Sequence, residues 1–227
     1  GIAVFENKYP YKYQFVKDTA AMFQNNKLIL TTAVDAQGNY WLGGWHIAKY
    51  NPDTKQFKYY ADYNQKLPKR SVGNIIIDTH GGIWAGMMQD GLMKYNQKTD
   101  KFEAVFQKYL SKNTACTYLG QINEKYFVIA DNLNLFIIDL DELYLHGKEK
   151  VVKVLNYHNG FLGIEPGQDG FFKDSDGKIW VTSGTVLSYF DPKKLNFQPS
   201  SLRTFIRSIN NQKLPFDYEN SPTIELE

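Results

Sequence analysis

The side chains best suited to chemistry in this 227-residue chain sit in short, turn-rich stretches rather than in any catalytic motif. Trp45 stands in Gly43-Gly44-Trp45-His46, and Met88, Gln89 and Asp90 stand at a matching phase in Met87-Met88-Gln89-Asp90. Asp131-Asn132 and Ser183-Gly184-Thr185 hold comparable places further on, and they add Asn132 and Thr185 as candidates. An aromatic face beside neutral and acidic polar groups suits a sugar, because the ring takes the apolar face while amides and carboxylates take the hydroxyls. The same residue types also fill ordinary solvated turns, which is the competing role. Catalysis has less to work with. His46, His80, His146 and His158 show no ligand-like spacing and Cys116 stands alone, so no metal and no cofactor is expected. Gly-x-Gly-x-x-Gly, Gly-x-Ser-x-Gly and His-Glu-x-x-His are absent.

Three aspartates could be read as acids or bases, but their spacing assigns them another task. Asp35, Asp78 and Asp174 each precede a tryptophan (Trp41, Trp84 and Trp180) by six residues. A carboxylate that recurs at the turn of the repeat serves geometry, capping that turn through backbone hydrogen bonds. The tryptophans keep one place inside a strand, which favours packing between repeats over sugar stacking. Trp41 and Trp84 are 43 residues apart, and the same step from Trp84 reaches Phe127 in a worn copy of the pattern. A period of about 40 to 50 residues in a strand-rich sequence is the signature of a β-propeller.

The elements that must position these residues follow from one repeat. Residues 74–78 form an apolar, β-branched run suited to an inner strand buried on both faces. Residues 83–86 make a second strand, 92–95 a third and 101–105 an outer one, with tight polar turns between them. The spacing predicts a partial blade over 1–20 and blades over about 21–62, 63–108, 109–160 and 161–195. An insertion over 141–150 lengthens the third and reads as a short helical turn. After Pro192 the period stops: 202–209 alternate, 210–213 turn and 223–226 open another strand, so 196–227 reads as the start of a second all-β module. Gly1 to Phe5 match the phase of Gly91 to Tyr95, so the chain is expected to begin inside a repeat of a longer protein.

Composition narrows the classes further. With 16 Tyr, 15 Phe and 4 Trp the chain is rich in residues that pack between sheets. A net charge of +2 without basic clusters argues against nucleic acid. No apolar run approaches the roughly 20 residues of a membrane span. A lone cysteine leaves the redox compartment open.

Asp-x-x-Gly-x-Ile-Trp-x-Gly followed by Gly-Leu-x-x-Tyr resembles the two-component regulator propeller repeat. Asp78, Gly81, Ile83, Trp84, Gly86, Gly91, Leu92 and Tyr95 carry the match, whereas the copy around Phe127 lacks the Trp and both glycines. Residues 197–226 resemble the start of the three-tyrosine, immunoglobulin-like domain that follows such propellers. The resemblance implies an all-β chain: blades of a larger, seven-bladed propeller and the first strands of an Ig-like β-sandwich. It also implies the periplasmic region of a membrane-anchored sensor histidine kinase or hybrid regulator of the Bacteroidetes type. Such a region would sense an oligosaccharide or other small-molecule ligand, be homodimeric in the parent, and leave the kinase chemistry outside this chain. Two other classes compete. A propeller lyase, lactonase or glycosidase would need acids or histidines on inner strands that here read Ile75-Ile76-Ile77 and Leu28-Ile29-Leu30. A protein-interaction scaffold would use the same turns.

Overall fold

The aspartate-to-tryptophan stretch folds as a hairpin turn organised by one carboxylate. Asp78 Oδ1 accepts from the backbone N–H groups of His80 at 2.9 Å and Gly82 at 2.8 Å, and Oδ2 accepts from Trp84 Nε1 at 2.6 Å. Asp35 does the same for Gln37, Asn39 and Trp41 at 3.0, 2.8 and 2.9 Å. Asp174 does it for Asp176, Lys178 and Trp180 at 3.0, 2.9 and 2.7 Å. The glycine three positions after each aspartate (Gly38, Gly81 or Gly177) has φ of 79°, 80° or 85°. A Cβ makes that region costly, so the turn selects glycine.

The computed structural model describes residues 3–5, 12–15, 28–60, 71–110, 114–116, 118–159, 161, 166–184, 186–195, 208–209 and 212–213. The chain divides into two compact units, Gly1–Leu195 and Asn196–Glu227. In the first, β1 (Ala3–Phe5) and β2 (Tyr13–Phe15) pair as a hairpin. The next sheet is a meander of β3 (Ile29–Val34), β4 (Tyr40–Gly44), β5 (Ile47–Asn51) and β6 (Gln56–Tyr59). It is followed by β7 (Val72–Ile77), β8 (Ile83–Met87), β9 (Gly91–Asn96) and β10 (Lys101–Val105). A third meander joins β11 (Tyr118–Gln121), β12 (Tyr126–Ala130), β13 (Leu135–Asp139) and β14 (Val151–Leu155). The fourth sheet is β15 (Pro166–Lys173), β16 (Ile179–Ser183) and β17 (Val186–Phe190). The first strands lie side by side, β3 against β7, β7 against β11 and β11 against β15. These are four successive blades of a β-propeller, each entered at its inner strand.

The insertion in the third blade is helix α1 (Leu140–His146), capped by the Asp139 side chain at one end and by Gly147, with φ 66°, at the other. In the second unit β18 (Ser208–Ile209) pairs with β19 (Gln212–Lys213). The turn expected over 210–213 therefore gives up its second half to a strand. The rest of the Ig-like expectation lies outside the described residues.

The two larger core clusters lie between blades, and a smaller one, Leu42, Ala48 and Tyr50, is buried on the other face of the first blade. Cross-strand pairing places Ala33, Trp41 and Lys49 in one row, and Ile76, Trp84 and Lys94 in the matching row of the next blade. These rows face forward, toward the following blade. Trp41 is fully buried against Val72, Ile75, Ile83, Ala85 and Met93 of the second blade. Trp84 is fully buried with Leu119, Phe127, Ile129 and Ile138 of the third. Two residues beyond each tryptophan is a glycine, and a Cβ there would strike the next blade: Val72 and Ile75 for Gly43, Cys116 for Gly86. Burying one indole removes about 200 Å² from water, an upper bound of about 5 kcal/mol, against roughly 1 kcal/mol for its hydrogen bond. Burial drives the association, and the carboxylate fixes which way the ring points.

Two expectations need correction. Phe127 does not occupy the tryptophan position. In the second blade Trp84 pairs with Ile76, and the matching pair in the third is Val128 with Gly120. Phe127 is one residue away and so faces backward, stacking on Trp84 at 5.3 Å. The first inner strand, β3, is not buried on both faces either. Its burial alternates, leaving Leu30 and Val34 37% and 53% exposed.

Removing the Asp78 carboxylate strands a buried indole N–H and two turn N–H groups. Asp78→Ala is expected to lose about 3 kcal/mol in chemical denaturation. Asp174→Ala, in a turn open to solvent, should lose clearly less. Acid should act through the carboxylates whose pKa the fold lowers. Burial alone would raise Asp35, but hydrogen bonds from Trp41 and Asn39 and the charge of Lys49 outweigh it and hold the carboxyl below 3.8. Asp100 is lowered chiefly by Lys58, then by Tyr95. A lowered folded pKa means stability that is present above the unfolded value and lost as pH falls through the folded one. Melting temperature should therefore be flat from neutrality down to about pH 5 and fall below about pH 4.

Candidate functional site

In an antiparallel meander, turns alternate between the two ends of the strands. The second-to-third-strand turns therefore share one face of the array, and the other two turns of each blade share the opposite face. Trp45, Met88, Gln89, Asp90 and Asn132 all fall in second-to-third-strand turns. Thr185 lies outside the described residues.

Trp45 is half-buried in a turn closed by Gly44 N–H donating to the His46 carbonyl at 3.2 Å. Burial lowers the His46 pKa, so this imidazole is neutral at physiological pH. The Met88–Asp90 turn is braced from outside: Met88 N–H donates to the Ser71 carbonyl at 2.9 Å, and Cys116 N–H to the Met87 carbonyl at 2.8 Å. Met88 and Gln89 are exposed, while Asp90 is turned inward at 6% exposure. Asp131 Oδ1 accepts from Leu133 and Asn134 N–H groups at 2.8 and 2.6 Å, which fixes a turn that leaves Asn132 exposed.

The opposite face carries a groove of about 1200 Å³ that the sequence did not announce. It runs from the Asp35 turn across the Asp78 turn to α1 of the third blade. Lys94 Nζ lies 4.6 Å from the centre of the Tyr144 ring and 5.6 Å from that of Trp84. Burial lowers the Lys94 pKa, opposed by the charges of Asp78 and Glu103. His80 stacks on Tyr144 at 4.6 Å, and the Tyr144 hydroxyl donates to Asp78 Oδ2. Burial, then Asp78, pushes the Tyr144 pKa up, so the hydroxyl stays a donor. Lys49 repeats the arrangement one blade earlier, 5.3 Å from the Trp41 ring and 3.9 Å from Asp35.

These contacts decide what the groove can do. Asp78 receives two backbone N–H groups, an indole and a phenol, so its oxygens are already engaged. Glu103 accepts from Asn96 and from Thr99 Oγ1. With its carboxylates committed, the groove presents amines, hydroxyls and amides over aromatic rings, an arrangement for binding rather than for paired acid and base. Among the described residues no three His, Cys, Asp or Glu side chains gather as a metal set. The sequence signal that could have located the groove was a lysine on the third strand directly across from Trp41 and from Trp84. The helix that completes it comes from the insertion.

No family model and no curated protein sequence matches the chain. Among solved structures, it is similar to the extracellular domain of BT4673 from B. thetaiotaomicron, assigned as a hybrid two component system. The TM-score is 0.58 at 18% identity, covering 73% of this chain and 24% of that one. A second structure of that domain, assigned as a one component system, gives 0.57 at 19% identity with the same coverage. The Cps50 (Swd1) beta-propeller domain of Myceliophteria thermophila gives 0.51 at 11% identity, over 77% of this chain and 55% of that one. At these identities the likeness is one of fold. The chain spans 24% of the length of the BT4673 domain it matches.

Tyr144 ties α1 to the turn of the preceding blade. Tyr144→Phe keeps the ring and removes one donor to Asp78, so a loss of about 1 kcal/mol is expected in thermal or chemical denaturation. An unchanged stability would mean that the hydroxyl is not part of the inter-blade clasp.

Proposed function

We propose that this chain is part of the extracytoplasmic, ligand-sensing region of a membrane-anchored two-component signalling protein, with the kinase lying elsewhere in the parent. The observation that carries the reading is the array of Asp-to-Trp blades, whose fold matches an extracellular domain assigned to a hybrid two component system. The repeat residues Asp78, Gly81, Trp84, Gly91 and Tyr95 support it independently of that likeness. No helix among the described residues is long and apolar enough to cross a membrane, so an anchor would lie outside them.

The ligand we propose is an oligosaccharide, taken on the face where Trp45, Met88, Gln89 and Asn132 gather in successive blades. A half-buried indole held by a tight turn can stack on a sugar ring, and the exposed amides can take hydroxyls. Binding would signal only through a difference in affinity between two arrangements of the parent, such as two dimer geometries. The enzyme reading has less support, since the carboxylates of the groove are engaged in folding contacts. The scaffold reading shares the Trp45 face and differs in the size of its partner.

Paired variants in the full ectodomain test the reading with a panel of plant-type and host-type oligosaccharides followed by calorimetry. Trp45→Ala should weaken binding at least tenfold with little change in melting temperature, while Lys94→Met leaves affinity unchanged. Loss of binding in Lys94→Met alone would move the site to the groove. Failure of every glycan to bind the ectodomain would remove the oligosaccharide reading.

A further inference from the structure

The groove on the face opposite Trp45 spends its acceptors and keeps its donors. Its acids are Asp35, Asp78 and Glu103, and its lysines are Lys49, Lys94 and Lys98. The fold takes up the acids. Asp35 accepts from the N–H groups of Gln37 and Asn39, from the Asn39 amide and from the Trp41 indole. Asp78 accepts from His80, Gly82, Trp84 and Tyr144, and Glu103 from Asn96 and Thr99. The amines are treated differently. Lys49 Nζ stands 3.9 Å from Asp35 Oδ2, an ion pair rather than a hydrogen bond. Lys94 Nζ meets only aromatic faces and donates to no oxygen among the described residues.

Lys94 is the more exacting of the two. It stands in the cross-strand row of Ile76, Trp84 and Glu103, half-buried beside the Trp84 and Tyr144 rings at 5.6 and 4.6 Å. Ring faces offset part of the cost of drawing an ammonium from water, but its three N–H groups still call for acceptors. The wall beside it is apolar: Val105 and Leu143 are partly buried against the core cluster that holds Trp84. Val105 belongs to the second blade, and Leu143 and Tyr144 to α1 of the third.

We propose that the groove between the second and third blades binds a small amphipathic monocarboxylate, with its carboxylate on Lys94 Nζ and its apolar body along Val105 and Leu143. The chemistry of the occupant follows from what the fold leaves unspent. A donor-rich ligand finds Asp78 and Glu103 already engaged. A dianion such as phosphate meets the negative charges of both, which act on this same ammonium, and brings no apolar surface. A neutral ligand leaves the ammonium without a counter-charge. One carboxylate answers it with a charge-assisted hydrogen bond, and an aromatic or short alkyl body covers the two side chains. So placed, the ligand bridges two blades beside the Tyr144–Asp78 contact. The inference stands apart from the sensing role: Trp45 and Lys94 lie on opposite faces, so a failure to bind glycans leaves it intact.

Titration of the 227-residue chain with phenylacetate, followed by amide NMR, supplies the test. Phenylacetate should shift the amide signals of Lys94, Val105 and Leu143 saturably. Neutral phenylacetamide and inorganic phosphate should each bind roughly tenfold more weakly. Lys94→Met keeps the length of the side chain and removes its charge, and it should weaken phenylacetate roughly tenfold. Lys108→Met removes an exposed lysine outside the groove and should change nothing. Should Lys94→Met disturb the native spectrum, Lys94→Gln takes its place. Equal binding of phenylacetamide, or undiminished binding by the Lys94 variant, would overturn the proposal, because the ammonium would not be the anchor. Phosphate bound as tightly as phenylacetate would overturn it too, reducing the groove to a bare anion site. So would the absence of any saturable shift at these three residues up to the solubility limit of the probe.

Discussion

The indole of Trp84 is shared between two blades: its ring is buried against the next one while its N–H is bonded to Asp78 in its own. That division of labour is what the rest of the structure depends on. Apolar burial alone would pull adjacent sheets together in many registers, because it is non-directional. The carboxylate removes the freedom. It closes the turn, sets the hairpin register and aims the ring, so that the glycine two residues on meets the neighbour at backbone distance. Tyr60 and Tyr95 converge on Asp100 from adjacent blades in the same spirit, placing a directional polar contact at the rim of an apolar junction.

The third blade shows what happens when these residues are missing. Without an aspartate, Asn123 Oδ1 takes over the turn, accepting from Lys125 and Tyr126 N–H groups at 3.0 and 2.8 Å. Without the tryptophan, the matching forward pair is only Val128 and Gly120, and the Phe171 ring of the fourth blade packs onto Gly120, while Phe127 faces back and stacks on Trp84. Helix α1 then reaches back, and Tyr144 adds a further donor to Asp78. The junction between the third and fourth blades thus takes its aromatic bulk from the following blade. Lys173 Nζ donates to the Ile122 carbonyl at 2.7 Å, a polar tie between the third and fourth blades.

Legibility in the sequence follows the same physics. Strands of the second blade could be read almost residue by residue because Asp78, Gly81, Trp84 and Tyr95 each perform a local task that only a few residue types perform. Phe127 misled because a strand alternates faces at every residue, so counting a period places a residue along the chain but not on a side. β11 and β14 carry no turn glycine or tryptophan of their own, so nothing local marks their bounds. The face holding Trp45, Gln89 and Asn132 followed from the alternation of turns. The groove did not, since Lys49 and Lys94 acquire meaning only across strands and Tyr144 arrives from an insertion 66 residues away from Asp78. Functional surface here is assembled from neighbours in the blade order rather than in the sequence.

Hydrogen exchange of the four indole N–H protons, assigned by single Trp→Phe variants and followed by NMR, tests this account most directly. It predicts that Trp41 and Trp84 protons exchange among the slowest in the first unit, each both buried and bonded to an aspartate. Trp180, bonded alike but only partly covered, should exchange faster, and Trp45, free of the aspartate motif, fastest. Exchange of Trp84 as fast as that of Trp45 would contradict the account, because the central junction would then not be closed by the residue on which it is built.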